Sequence, residues 1–382
     1  MGLAIAEQAS SAQRDVAVRV VDSDVHPAPL PTELFQYIPE PHRSTFWKQR
    51  RSGQPSVYDA PDYGHTRAMR VDAFPESGGF PGSDPELAFQ QLIIEAGCDL
   101  GILEPISPAE RLPEYTQSLH VATNHWLVNH WLDGKTNWHE RWRGSICVGI
   151  EDPVGAVREI EYWAEHPYLV QVQIAAEPRP SWGDPKYDPI WEAATRHNLP
   201  VNCHLGKGSF EFFPMSPVGF PSYNHDFMVT YSLLAANQVL SLIFDSVFAR
   251  FPTLQIVLVE HAYSWILPLM ARMDAMYEAR KRDLPDVKRK PSEYVLDHLW
   301  LTTQPLDFPD DRSELRKALE WMHADRLLLF SSDYPHWTFD DPKWIIRQLP
   351  EQFRERIMFQ NAIDLYRLPS TLPVLESQYR VW

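Results

Sequence analysis

The sequence has few cysteines, no long apolar run and no basic leader, and each absence excludes a class of protein. Three of the 382 residues are cysteine, namely Cys98, Cys147 and Cys203, and they stand far apart with no Cys-x-x-Cys pair. Such a sparse, odd set excludes a disulfide scaffold and indicates a reducing compartment. No run approaches the roughly 20 apolar residues that cross a bilayer, and the first residues lack the pattern of a signal peptide. We therefore expect a cytoplasmic protein without a membrane partner.

Positive charge is also scarce in this chain. It has 35 lysines and arginines against 51 aspartates and glutamates, which gives a net charge of −16. Proteins that bind nucleic acid normally present a basic surface to the phosphate backbone. We therefore expect a small-molecule substrate and no nucleic-acid partner.

What the chain does contain is a series of short apolar segments of β type that alternate with helical patterns. Strands that alternate with helices predict βαβ units and a parallel sheet. Eight strands with apolar residues on both faces favour a closed, distorted (β/α)8 TIM barrel, an α/β fold. The predicted strands are Val16–Asp22, Cys98–Pro105, Gly144–Ile150, Leu169–Ala175, Leu199–His204, Leu254–His261, Leu299–Thr303 and Arg326–Asp333.

Two connections are too long for a single barrel helix. The first is a large insertion after the first strand, over about residues 27–95, and the second covers about residues 206–226. Loops that follow strands build the sites of barrel enzymes, so we interpret the first insertion as a lid, with a packing or oligomer surface as the alternative. The prediction is one barrel domain over residues 16–368, a flexible N-terminal tail (1–15) and a C-terminal tail (369–382).

Metal-compatible side chains stand at the ends of four predicted strands. Asp24 and His26 follow the first strand, while His204, His261 and Asp333 end the fifth, sixth and eighth. In a parallel barrel these ends converge on one mouth, and Asp-x-His in extended chain places both side chains on one side. Mixed nitrogen and oxygen donors suit Zn²⁺, Mn²⁺ or Fe²⁺. The sequence therefore predicts a metal site at this mouth.

These strand ends resemble the amidohydrolase superfamily, specifically its amidohydrolase-2 branch, which includes aminocarboxymuconate-semialdehyde and γ-resorcylate decarboxylases. The likeness lies in DSDVHP, NCHLG, FPTLQIVLVEHAYSW and LLLFSSDYPHW. It implies that Asp24, His26, His204 and Asp333 hold one divalent metal ion. It also implies that His261 orients or deprotonates a metal-bound water, or handles the substrate proton, and that the protein is a homodimer.

Two departures from the family pattern bear on the metal. Many members have His-x-His at the first strand, whereas this chain has Asp24 and His26. The added carboxylate makes the donor set harder, so Mn²⁺ becomes a candidate for the bound ion beside Zn²⁺. The fourth strand has no lysine for a carbamylated bridge, so we expect a single ion.

Six further residues are candidates for substrate binding, each with a structural alternative. Arg67 and Arg70 could pair with a substrate carboxylate, or form intramolecular salt bridges. Lys207 follows His204 closely, and Phe212 could form an apolar wall. His225 could cap a helix or contact substrate, and His336 could line the mouth or only stabilise its loop.

The resemblance favours a metal-dependent hydrolase that acts on a small cyclic or aromatic carbonyl compound through an activated water. In that mechanism Asp333 takes the proton of the water and His261 stabilises the oxyanion. The alternative is a nonoxidative decarboxylase of an aromatic or unsaturated carboxylic acid, in which Asp333 or His261 protonates carbon. A third interpretation is a non-catalytic barrel that acts as a binding protein.

Overall fold

The computed structural model describes residues 18–51, 68–105, 112–175, 180–204, 232–307 and 311–373, together with residues 229 and 309. Within them, eight parallel strands pair in chain order to form the predicted (β/α)8 barrel. The predicted N-terminal tail, the insertion 206–226 and most of the C-terminal tail lie outside the described residues. The strands are β1 (Val21–Val25), β2 (Leu100–Leu103), β3 (Trp142–Cys147), β4 (Leu169–Ala175), β5 (Val201–His204), β6 (Ile256–Val259), β7 (Leu299–Thr302) and β8 (Leu328–Leu329).

The barrel closes between β8 and β1 through an irregular seam. The amide of Ser23 donates to the carbonyl of Phe330 at 2.9 Å, and that of His26 donates to the carbonyl of Tyr334 at 2.7 Å. The carboxylate of Asp22 accepts from the amide of Ser332 at 2.9 Å and also from its hydroxyl. Side-chain hydrogen bonds therefore replace part of the ladder here, which is why β8 is shorter than the predicted segment.

Helices occupy the connections between strands, as the alternating pattern predicts. None of the helices among the described residues has the length and apolar character to cross a membrane. They are α1 (Pro31–Phe35), α2 (His42–Arg51), α3 (Pro85–Ala88), α4 (Pro113–Leu127), α5 (Pro153–Trp163), α6 (Asp188–Arg196), α7 (Ser232–Phe244), α8 (Val247–Arg250), α9 (Ile266–Arg280), α10 (Pro291–His298), α11 (Arg312–Trp321), α12 (Ala324–Leu327), α13 (Pro342–Gln348), α14 (Glu351–Glu355) and α15 (Asn361–Tyr366).

Aspartate followed by proline starts several of these helices. The carboxylates of Asp84, Asp152 and Asp341 each accept a hydrogen bond from an amide of the first turn, and a proline follows each of them. Aspartate satisfies an amide that has no partner inside the helix, and proline at the first position has no amide to satisfy. This local chemistry accounts for part of the high proline content.

The end of the first insertion lies over the carboxyl ends of the strands. Residues 68–70 run antiparallel to residues 335–337, with an amide of Arg70 donating to Pro335 at 2.9 Å and that of Trp337 to Ala68 at 2.9 Å. Gly82 has φ +82°, and a Cβ there would lie 2.3 Å from the carbonyl oxygen of His26. Only glycine fits this approach, which packs the insertion against His26, the residue that follows β1.

Candidate metal centre

Three side chains from β1 and β5 meet inside the barrel at its carboxyl end. Asp24 lies in β1, His26 follows this strand directly, and His204 is the last residue of β5. Nε2 of His26 is 3.0 Å from Oδ1 of Asp24, and Nε2 of His204 is 3.7 Å from the same oxygen. All three side chains are buried, and their ligand atoms lie within 4.8 Å of one another. This spacing suits donors around one ion.

Asp333 joins this cluster from the turn after β8. Its φ is +62°, an unusual backbone conformation that a residue other than glycine adopts only under constraint. Oδ1 lies 3.1 Å from Nε2 of His26 and also accepts from Nδ1 of His336. Oδ2 accepts from Nε2 of Gln304 at 3.2 Å and from the hydroxyl of Thr338. Four side chains therefore fix the orientation of this carboxylate.

The second nitrogen of His26 is held by the backbone. Nδ1 lies 2.8 Å from the carbonyl oxygen of Glu104, which accepts its proton. Because Nδ1 is the donor to a carbonyl, Nε2 is the nitrogen that faces the carboxylates. Burial opposes a charge on this ring, but Asp24 and Asp333 raise the pKa of His26 well above its ordinary value. Nε2 of His26 therefore faces the position that a cation would take.

The electrostatics of the centre fit a divalent cation. Neither oxygen of the fully buried Asp24 has a hydrogen-bond donor among the described residues. Burial, together with the charge of Asp24, raises the pKa of Glu104 well above its ordinary value. Burial also raises the pKa of Glu260, and Asp333 and Asp24 raise it further. Carboxylates concentrated in a dry interior repel one another, and a bound cation compensates for that repulsion.

The remaining predicted residues are placed as follows. His261 is fully buried directly after β6, between Glu260 and Ala262, whose φ values are +62° and +55°. Arg70 forms a two-point ion pair with Asp72, at 2.6 and 3.0 Å, which is the salt-bridge alternative left open by the sequence. His336 contacts Asp333 rather than open solvent. Arg67, Lys207, Phe212 and His225 lie outside the described residues.

Sequence reasoning did not single out two glutamates that belong to this centre. Glu104 directly follows β2 and is fully buried, and its carboxylate accepts from Gln171 at 3.0 Å. Glu260 directly follows β6, with Oε2 at 3.6 Å from Nε2 of His204. Both stand at strand ends, so the rule that identified His204 and Asp333 would also have found them.

The fold and the buried cluster define a barrel protein with a metal-type centre at the carboxyl end of its strands. The sequence model of the amidohydrolase family matches residues 108–368, which is more than half of the chain. The chain therefore belongs to the amidohydrolase family, as the strand-end motifs predict. No curated protein matches the sequence.

Solved structures share this fold over most of the chain. An amidohydrolase from Mycobacterium avium subspecies paratuberculosis is 19% identical, with a TM-score of 0.69, covering 92% of this chain and 100% of its own. The 5-carboxyvanillate decarboxylase of Sphingomonas paucimobilis is 20% identical, with a TM-score of 0.66 and coverages of 92% and 100%. A dihydroxybenzoic acid decarboxylase from a Polaromonas species, with bound manganese and 2-nitroresorcinol, is 19% identical, with a TM-score of 0.64 and coverages of 92% and 97%.

Proposed function

We propose that this protein is a metal-dependent, nonoxidative decarboxylase of an aromatic or unsaturated carboxylic acid. The sequence alone favours a hydrolase over a decarboxylase, and the proposal puts the decarboxylase first. Asp24, His26, His204 and Asp333 would hold one divalent ion, and the two carboxylates in this donor set favour Mn²⁺. Two of the structures that share the fold are named as decarboxylases of substituted benzoates, one of them with manganese.

The observation that carries the proposal is the way in which Asp333 is held. A carboxylate offers about four lone-pair positions, two on each oxygen. His336, Gln304 and Thr338 use three of them, and the fourth faces Nε2 of His26 and the metal position. A hydrolase would need Asp333 to accept a proton from water, and no lone pair is left for that proton. Asp333 is therefore suited to hold the ion and not to act as a base.

The chemistry then divides between the centre and one histidine. When bound, the ion supplies a Lewis acid that holds the substrate carboxylate and a neighbouring oxygen. As the bond between the carboxyl carbon and the substrate breaks, its electron pair stays on the substrate carbon and CO₂ leaves. His261 gives that carbon a proton and takes one back from solvent in the next cycle. Its burial after β6 keeps it from competing water until substrate is bound.

The direct test is CO₂ release from a panel of hydroxybenzoates and unsaturated acids by the Mn²⁺-loaded protein. We expect His204→Ala to lose both the bound ion and CO₂ release, whereas His261→Asn should retain the ion and lose CO₂ release. Release of an amine or a ring-opened acid, without CO₂, would instead establish the hydrolase. A protein that holds less than about half an equivalent of ion after reconstitution would support the binding-protein alternative.

The family likeness also leads us to expect a homodimer, and the sparse cysteines lead us to expect a cytoplasmic protein. Size-exclusion chromatography with light scattering measures the assembly directly: a mass of twice 44.3 kDa is the expected result, and a mass of 44.3 kDa would exclude it.

A further inference from the structure

We propose that Glu260 selects the substrate by accepting a hydrogen bond from a hydroxyl or amino substituent on the acid. The inference rests on the proposed function, since it names a feature of the acid held at the same centre. It concerns recognition beside the metal position and assigns Glu260 no part in proton transfer.

Glu260 differs from the other carboxylates of the centre in its access to the mouth. The side chains of Asp24 and Asp333 and the whole of Glu104 are 0% exposed, whereas 15% of the Glu260 side chain is exposed. Part of the Glu260 side chain is therefore accessible to a bound molecule. The carboxylates of Asp24, Asp333 and Glu104 have no exposed surface that a bound molecule could contact.

Distances place Glu260 beside the metal position. Its Oε2 is 3.6 Å from Nε2 of His204, the nitrogen that also lies 3.7 Å from Asp24. Two groups of side chains in the described part of the chain have ligand atoms within 4.8 Å of one another: Asp24, His26 and His204, and His26, Asp333 and His336. Neither group includes Glu260. The same Asp24 has two buried oxygens without a donor among the described residues, which marks this spot as one that takes a ligand. A molecule held at the ion would thus extend alongside Glu260.

The backbone fixes Glu260 in this position. The residue has φ +62°, and its amide donates to the hydroxyl of Thr302 in β7 at 3.1 Å. Five residues along, the indole of Trp265 donates to the carbonyl of His261 at 2.8 Å, which closes the loop. These contacts fix the backbone from which the side chain projects, which reduces the ordering entropy lost when a substrate group pairs with Glu260.

An acceptor at this position discriminates among substituents by charge and by hydrogen bonding. Burial and the charges of Asp333 and Asp24 raise the pKa of Glu260, and a cation at the centre would offset the effect of those two charges. The ionised carboxylate then accepts from a hydroxyl or amino group, and such a charge-assisted bond is among the stronger ones in proteins. A methoxy group offers no proton and leaves the carboxylate desolvated. A second carboxylate on the substrate meets like charge and is repelled. Glu260 thereby favours acids that carry a donor next to the reacting carboxyl group over ethers and dicarboxylates.

The test compares four ligands on Mn²⁺-loaded wild type and Glu260→Gln. The ligands are 2,6-dihydroxybenzoate, 2-hydroxy-6-methoxybenzoate and 2-hydroxybenzene-1,3-dicarboxylate, with 2-amino-6-hydroxybenzoate to separate amine from hydroxyl. Calorimetry on wild type should show the dihydroxy acid binding at least about tenfold more tightly than the methoxy acid. In Glu260→Gln that ratio should fall below about threefold, and the dicarboxylate should gain about tenfold. Glu260→Asp should recover part of the selectivity, and Glu165→Gln, at a side chain 93% exposed, should behave as wild type.

Mn²⁺ affinity measured on the same variants separates recognition from ligation. We expect it to change less than about threefold in Glu260→Gln, because the residue is not a ligand. A loss of affinity above about tenfold would make Glu260 a ligand and overturn the inference. An unchanged preference for the dihydroxy acid would overturn it as well. If none of the acids binds the wild-type protein, the proposed function fails first, and this inference fails with it.

Discussion

Replacing Thr338 by valine should weaken Mn²⁺ binding by about tenfold while leaving the fold intact. The two side chains have nearly the same shape, but valine cannot donate the hydrogen bond that Thr338 makes to Oδ2 of Asp333. A hydrogen bond to a charged acceptor contributes about 1.5–3 kcal/mol, and the lower end applies because Thr338 is partly exposed. About 1.4 kcal/mol corresponds to a factor of ten in affinity.

The assay is competition for Mn²⁺ against a chelator of known affinity, with thermal unfolding of the chelated protein as a measure of fold. Thr338→Ser keeps the hydroxyl and is the matched control, so its affinity should stay close to that of wild type. If Thr338→Val bound Mn²⁺ within about twofold of wild type and unfolded at the same temperature, Asp333 would not be a ligand positioned by its neighbours. That result would remove the main support for the proposed centre.

Two further predictions concern glycine and pH. Gly82→Ala should lower the free energy of unfolding by at least about 1–2 kcal/mol and weaken Mn²⁺ binding, because a Cβ at φ +82° meets the carbonyl oxygen of His26. Gly134→Ala is the control, since a Cβ there meets nothing within 4 Å, and it should change neither quantity. Burial lowers the pKa of His120 to about 4. Between about pH 6.5 and 4, His120 is therefore protonated in the unfolded chain and neutral in the folded chain. Stability should therefore fall as the pH falls through this window, and in His120→Leu it should fall less. Denaturant unfolding of the wild type and of His120→Leu at about pH 7 and 4.5 measures how much stability each protein loses. An equal loss in the two proteins would contradict the lowered pKa of His120.

The barrel could be predicted because short, largely apolar segments alternate with helical patterns along the chain. The segment Leu169–Ala175 forms β4 over the predicted residues, and the other strands overlap their predicted segments. The first strand differs most: it is Val21–Val25, so Asp24 lies within it. A carboxylate is tolerated inside this strand because it faces the polar centre, a circumstance that local sequence cannot reveal.

The candidate site was predictable wherever a side chain stands at a strand end. Asp24, His26, His204 and Asp333 follow from that rule, and Glu104 and Glu260 satisfy it as well. Gln304 and Thr338 are different, because they reach Asp333 only once β7 lies beside β8 and the turn at Asp333 takes its unusual φ. Their role depends on tertiary geometry, which no local pattern encodes.

The seam between β8 and β1 also governs when the centre can be assembled. His26 and Asp333 are separated by 307 positions, and Asp22 and Ser332 by 310, so these contacts join nearly the whole length of the chain. During synthesis the early strands emerge long before residue 333, and Asp333, the last of the proposed ligands, arrives only when almost all of the barrel has left the ribosome. A ligand that binds only the closed state adds its binding free energy to that state alone. Binding of a cation by His26 and Asp333 would thus be coupled to closure of the barrel between β8 and β1. A chain truncated at its last strand would gain no stability from the ion.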